Sequence, residues 1–307
     1  MTRRVAVIGA GTIGASWAAY FLARGFEVGG YDPAPNGEAF ARRFIDNAWP
    51  ILEKLEAVQP GADRKRFEFF KDPTAAAKGA EFVQESGPER EDIKIELFAT
   101  LDDALPPETV IATSSSGLLI SHVSAKCKRP ERCVIGHPFN PPHLIPLVEV
   151  VGGARTSPEA IYKTMRFYRE LGKHPIHIRK EVRGHVANRL QAALWREAIH
   201  LVTEGVVSVA DADAAIAYGP GLRWAFMGPS LTFHMAGGEG GMKHFMEHIG
   251  PAIQRWMDDL GAPKLTPKTQ QAIIDGVTEE AAGRSMADLQ RWRDRKLIEI
   301  LKVSGEP

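Results

Sequence analysis

Gly9-Ala10-Gly11-Thr12-Ile13-Gly14 constrains this chain more than any other six residues. The motif follows an apolar, strand-like run directly and opens a segment with Ile13, Trp17 and Phe21 at four-residue spacing, which is one face of a helix. A G-x-G-x-x-G turn between a strand and a helix suits a dinucleotide for steric reasons. Gly9 allows the tight turn, Gly11 lets the backbone approach a pyrophosphate, and Gly14 lets helix and strand pack closely. The helix N-terminus then offers free N–H groups and partial positive charge to the phosphates. Asp32 follows the next strand-like run and can accept hydrogen bonds from a ribose 2′-hydroxyl. It would repel a 2′-phosphate, and Pro33-Ala34-Pro35-Asn36 supply no arginine to offset that. The predicted cofactor is NAD rather than NADP, the alternative being a glycine-rich turn with no ligand.

Strand and helix patterns alternate through the first part of the chain. Strands are predicted over 4–8, 27–31, 66–70, 81–86, 110–114, 133–137, 146–151 and 174–179, and helices over 12–24, 37–58, 89–103 and 157–171. Ser157 reads as an N-cap, Pro158 as the first helical residue and Gly172 as the stop. Such alternation implies a parallel sheet covered on both faces. Beyond Lys180 the pattern is helical only, over 186–202, 210–218, 241–259, 266–277 and 285–302. The fold class is therefore α/β: a Rossmann-like doubly wound sheet over 1–180, then an all-α domain over 181–307.

Composition excludes several classes. Lys+Arg and Asp+Glu are both 38, and no basic run exceeds Lys126-Cys127-Lys128-Arg129, so no nucleic-acid partner is expected. Cys127 and Cys133 are too few for a disulfide scaffold and lack metal-site spacing, so no metal is expected. No signal peptide and no membrane span are read. A soluble cytoplasmic globular protein is the expectation.

The second informative segment is Gly136-His137-Pro138-Phe139-Asn140-Pro141, followed by Leu147-Val148-Glu149-Val150-Val151. The intervening prolines force a turn rather than a helix. Two adjacent strands joined by it would bring Glu149 beside His137. A buried carboxylate that fixes an imidazole tautomer makes a poised general base. Beside a dinucleotide, such a base suits removal of a hydroxyl proton while hydride leaves for nicotinamide. A histidine satisfied within the core is the bland alternative.

With Thr113-Ser114-Ser115-Ser116 and Ala187-Asn188-Arg189-Leu190 added in order, the chain resembles the 3-hydroxyacyl-CoA dehydrogenase family over nearly its whole length. The resemblance implies that His137 is the base and Glu149 its orienting carboxylate. It implies also that Ser116 and Asn188 contact the substrate oxygen, and that a homodimer forms through the helical domain. Ser116 could instead cap a strand end, and Asn188 a helix. Glu85 resembles a family position on the nicotinamide side, with a plain surface carboxylate as its alternative. Lens crystallins related to this family offer a reading from another class, a non-catalytic NAD-binding protein. The intact Ser116, His137, Glu149 and Asn188 set argues against it.

One departure narrows the substrate. Acyl-CoA members carry a lysine soon after their equivalent of Glu85, whereas here none appears before Lys94. Together with Asn47-Ala48-Trp49-Pro50, Leu194-Trp195-Arg196-Glu197-Ala198 and Gly221-Leu222-Arg223-Trp224, this resembles the branch that oxidises small free 3-hydroxy acids. Carnitine is the nearest expectation, with gulonate next and 3-hydroxybutyryl-CoA as a further alternative. A trimethylammonium group cannot donate hydrogen bonds and calls for aromatic faces. Trp195, Tyr218, Trp224, Phe226 and Phe233 are candidates, with Glu197 and Glu204 nearby in sequence, although most must be ordinary core. Arg196 or Arg223 could meet a substrate carboxylate or form a structural salt bridge.

Overall fold

β1 (Arg4–Ile8) leads into α1 (Thr12–Ala23), and the alternation continues through β2 (Glu27–Tyr31), α2 (Gly37–Lys54), β3 (Phe67–Phe70), α3 (Pro73–Ala77) and β4 (Phe82–Glu85). It goes on with α4 (Glu91–Ala104), β5 (Val110–Thr113), α5 (Ile120–Val123), β6 (Cys133–Pro138), β7 (Leu147–Gly152), α6 (Pro158–Glu170) and β8 (His174–Ile178). The computed structural model describes residues 3–303. All eight strands form one sheet in the order β3-β2-β1-β4-β5-β6-β7-β8.

Neighbours pair in parallel except β6 and β7, which are antiparallel. The sheet is thus mostly parallel, and the one antiparallel pair is the one whose connecting turn brings Glu149 back beside His137. A parallel neighbour needs a long crossover, and the short proline-rich connection after β6 permits only an antiparallel return. Alternate residues of β1 feed opposite faces: Val5 and Val7 pack with Trp17, Phe21 and Tyr168, while Ala6 and Ile8 pack with Phe98, Leu101 and Ile111. Because the strands are covered on both sides, they read as nearly continuous apolar runs.

α1 is buried from Gly14 to Ala23. Trp17 stacks on Phe21 at 5.2 Å and on Tyr168 at 5.6 Å between ring centroids. The Ser157 hydroxyl accepts the Ala160 N–H at 3.1 Å, and Gly172 takes φ 79°, so α6 starts and stops where its sequence indicates. α2 ends earlier than the predicted 37–58. Glu56 adopts φ 55°, the Ala57 N–H returns to the Leu52 carbonyl, and Ala57 and Val58 fold back on the core.

The chain divides into two units, one up to Asn188 and one from Arg189 on. The second unit is helical: α7 (Ala187–Thr203, its first two residues in the first unit), α8 (Val209–Ala217), α9 (Pro220–Trp224), α10 (Pro229–Ala236), α11 (Gly241–His248), α12 (Gly250–Asp259), α13 (Pro267–Ala281) and α14 (Met286–Val303). The helix expected over 241–259 is broken at Ile249-Gly250-Pro251, where proline cannot continue the hydrogen-bond ladder. α9 and α10 fall outside the predicted helices. Both are short, and each opens on a glycine–proline pair instead of showing an apolar period. No described helix is long and apolar enough to cross a membrane.

Candidate active site

The carboxyl ends of β1, β2, β4, β5 and β6 carry the functional side chains. A mostly parallel sheet opens its ligand crevice at that edge, where the strand order reverses. Here the reversal falls between β1 and β4. Gly9 has φ 93°, and a Cβ on it would lie 2.5 Å from the Gly87 nitrogen. A Cβ on Gly14 would lie 1.8 Å from the Gly9 carbonyl oxygen. Both positions therefore require glycine. A Cβ on Gly11 would meet nothing within 4 Å, so that side of the loop is open, and α1 starts there without a side-chain cap. Ala10, Thr12 and Ile13 complete the loop. An uncapped helix N-terminus beside an open glycine fits a pyrophosphate. Asp32 reaches this loop: one oxygen accepts the Ala10 N–H at 2.8 Å, the other the Ala34 N–H at 2.8 Å.

His137 and Glu149 are direct register partners across β6 and β7. His137 Nδ1 lies 2.8 Å from Glu149 Oε2, and Glu149 is 0% exposed. Oε1 accepts the N–H groups of Val186 at 2.8 Å and Ala187 at 2.9 Å, at the start of α7. Burial pushes the Glu149 carboxyl up, but the His137 hydrogen bond and the Ala187 and Val186 amides outweigh it, so its pKa falls below the ordinary value. An ionised Glu149 can only accept, which puts the imidazole proton on Nδ1 and leaves Nε2 with the lone pair a base needs.

Ser116 and Asn188 flank this pair in sequence. Ser116 is exposed after β5. Its N–H donates to Glu89 Oε1 at 3.0 Å, as do the Gly117 N–H at 2.8 Å and the Ser115 hydroxyl at 2.7 Å. The Ser116 hydroxyl lies 3.5 Å from the same oxygen, the outer limit of a hydrogen bond. Asn188 is half-buried in the first turn of α7, next to the amides that hold Glu149. Glu85 is not a plain surface carboxylate, the alternative reading of its position. Its carboxylate is fully buried and accepts from Lys94 Nζ at 2.7 Å, the Thr113 hydroxyl at 2.5 Å and the Gly87 N–H at 2.6 Å. Through the Gly87 N–H it shapes the loop beside Gly9.

In the second unit the aromatic candidates Trp195, Tyr218, Trp224, Phe226 and Phe233 are all exposed. Phe233 stacks on Phe245 at 4.9 Å, and no two of the five candidates stack together among the described residues. Glu197 accepts the Gly261 N–H at 2.8 Å. Sequence reasoning missed Glu89 and His185. Glu89 reads as an acid leading into a helix, and its partner in the serine turn, Ser115, lies 26 residues further along the chain.

Two family models match the chain: the NAD binding domain of 3-hydroxyacyl-CoA dehydrogenase over residues 4–182 and the C-terminal domain of the same enzyme over residues 184–287. The chain belongs to the 3-hydroxyacyl-CoA dehydrogenase family. Within that family it is 50% identical over 303 residues to an L-carnitine dehydrogenase of Streptomyces coelicolor, covering 99% of this chain and 95% of that one. It is 48% identical to an L-carnitine dehydrogenase of Pseudomonas putida, covering 97% and 92%. Among solved structures, a 5-formyl-3-hydroxy-2-methylpyridine 4-carboxylic acid 5-dehydrogenase, described as an NAD+-dependent dismutase, matches at TM-score 0.85 and 30% identity over 100% of both chains. The glycine loop and Asp32 thus belong to an NAD-binding domain, and the chain is an NAD-dependent oxidoreductase.

Proposed function

We propose that this protein oxidises the 3-hydroxyl of L-carnitine to 3-dehydrocarnitine, with His137 as base. The observation that carries the reaction class is the 2.8 Å contact between His137 Nδ1 and buried Glu149, at the sheet edge that also carries the glycine loop. The L-carnitine dehydrogenases at 45–50% identity support the substrate.

His137 Nε2 takes the hydroxyl proton as the carbinol carbon gives up its hydride. Bound NAD supplies the hydride acceptor. Glu149 stays ionised and stabilises the imidazolium that forms, and its fixed acceptor role keeps the ring from turning over. The Ser116 hydroxyl and the Asn188 amide steady the substrate oxygen as it gains alkoxide character. The products are the ketone, NADH and one proton, so the oxidative direction gains from alkaline solution.

The second unit would complete the enzyme as its substrate and dimerisation domain. Ile199, Val209 and Phe245 are buried there, while Leu190, Val206, Tyr218, Phe226, Met235 and Trp256 are exposed. So much uncovered apolar surface supports a homodimer formed through this unit. A cytoplasmic location accords with use of the NAD pool.

Carnitine and an isostere with tert-butyl in place of trimethylammonium separate charge from shape. Loss of the cation should cost roughly 0.5–2 kcal/mol, chiefly in KM, because the charge is remote from the reacting carbon. An isostere oxidised as well as carnitine, or gulonate oxidised much better than either, would contradict the assignment.

A further inference from the structure

His185 sits between β8 and α7 in a turn where Gly184 has φ 75° and His185 itself φ 49°. A side chain in this left-handed region is uncommon, though histidine tolerates it better than most residues. The turn leaves the imidazole 2% exposed, its centroid 5.1 Å from that of His137. Leu118, Leu119, Ile135, Val151 and Val182 line the same gap, together with Glu181. His185 Nε2 lies 2.9 Å from the Ser115 carbonyl oxygen. A carbonyl only accepts, so Nε2 carries the proton and Nδ1 is a bare lone pair. That Nδ1 is buried without a partner.

An apolar side chain would fill this slot without burying a bare Nδ1, but it would take from the buried Ser115 carbonyl the donor that His185 Nε2 supplies. The reason for an imidazole here lies in the Ser115–Ser116 peptide. His185 holds its carbonyl end at 2.9 Å, and Glu89 holds its N–H end at 3.0 Å. Clamped at both ends, the peptide fixes where Ser116 begins. The same turn delivers the Val186 and Ala187 amides to Glu149.

We propose that His185 is a positioning residue for the dehydrogenase reaction, its side chain fixing the Ser115–Ser116 peptide and its backbone turn aligning the amides that hold the carboxylate of the base. This rests on the reading of His137 as base. The titratable groups facing the ring are His137, Glu149 and Glu89, and Glu181 lines the same gap. Burial is the main influence on His185, and with His137 it lowers the pKa against the opposing pull of the Ser115 carbonyl and the Glu149 and Glu89 carboxylates, which favours the neutral donor form.

The test compares His185→Phe, which keeps a ring and loses the donor, with His185→Gln, whose amide N–H can replace Nε2–H. Both are measured as full-length enzyme with whichever hydroxy acid the wild type oxidises fastest. We expect His185→Phe to lower kcat on the order of 10- to 100-fold, the scale of a misplaced reacting group. KM for NAD should stay within about twofold, as expected when only transition-state interactions are lost. The primary isotope effect from deuterium at the carbinol carbon should rise, and His185→Gln should recover most of the rate. If His185→Phe fails to fold, His185→Ala takes its place in the comparison. Wild-type kcat without the donor overturns the proposal, as does an equal loss in both variants with an unchanged isotope effect. A fully active His137→Ala would instead sink the base assignment on which it stands.

Discussion

His137 and Glu149 face each other directly across β6 and β7, with Nδ1 2.8 Å from Oε2. The other carboxylate oxygen caps the start of α7 through the Val186 and Ala187 amides. One buried side chain thus orients the imidazole and anchors the first turn of the helix bearing Asn188.

His137→Ala should lower turnover about 10²–10⁴-fold, the usual contribution of a positioned acid–base group. NAD affinity should hardly change, because the glycine loop is separate from the base. Glu149→Gln should also lower turnover, since an amide N–H facing Nδ1 favours the wrong tautomer. Steady-state kinetics on folded variants, with NAD titrated by fluorescence, check both outcomes.

Acid should weaken the fold through Glu149. Its folded pKa lies below the ordinary value, so its stabilisation is complete above the unfolded pKa of about 4.3 and is lost as pH falls through the folded value. Denaturant unfolding of the wild type and Glu149→Gln should therefore show a gap at neutral pH that narrows below about pH 4. A gap that widens in acid would mean that the carboxyl is not held ionised.

Asp32→Ala removes the acceptor that reaches the glycine loop through the Ala10 N–H. NAD binding should weaken and discrimination against NADP should relax, because the charge that repels a 2′-phosphate has gone. The ratio of kcat/KM for the two cofactors is the measurement. Equal wild-type efficiency on both would remove Asp32 from cofactor choice.

Lys94 and Glu85 form an ion pair at 2.7 Å with Lys94 1% exposed and Glu85 0% exposed. Lys94→Met leaves a buried carboxylate without its counter-ion and should cost about 3–5 kcal/mol of stability. The Gly87 loop beside Gly9 should loosen with it, so NAD affinity should also fall. Thermal and denaturant unfolding give the first effect and NAD titration the second.

Much of this was legible in the sequence where local chemistry and global fold agree. The glycine loop, the Ser157 cap and the prolines after His137 each dictate a backbone conformation, and the antiparallel pairing then sets Glu149 opposite His137. What escaped depends on contacts distant in sequence or on segments without a period. Glu89 meets the Ser115 turn only after β4 and β5 pair. His185 gains its role from a left-handed turn that Gly184 begins. Glu85 looks like a free acid until Lys94, nine residues on, folds back onto it. α9 and α10 are too short and too exposed for an apolar face to mark them.

The central claim is that the base pair and the NAD-binding domain act together on the 3-hydroxyl of carnitine. Initial NADH formation by the purified enzyme, with L-carnitine, L-gulonate and 3-hydroxybutyryl-CoA under identical conditions, tests it most directly. The account predicts the highest kcat/KM on L-carnitine, with NADH and 3-dehydrocarnitine formed in equal amounts and both absent with His137→Ala. No NADH from L-carnitine, or a clear preference for either other substrate, would contradict it.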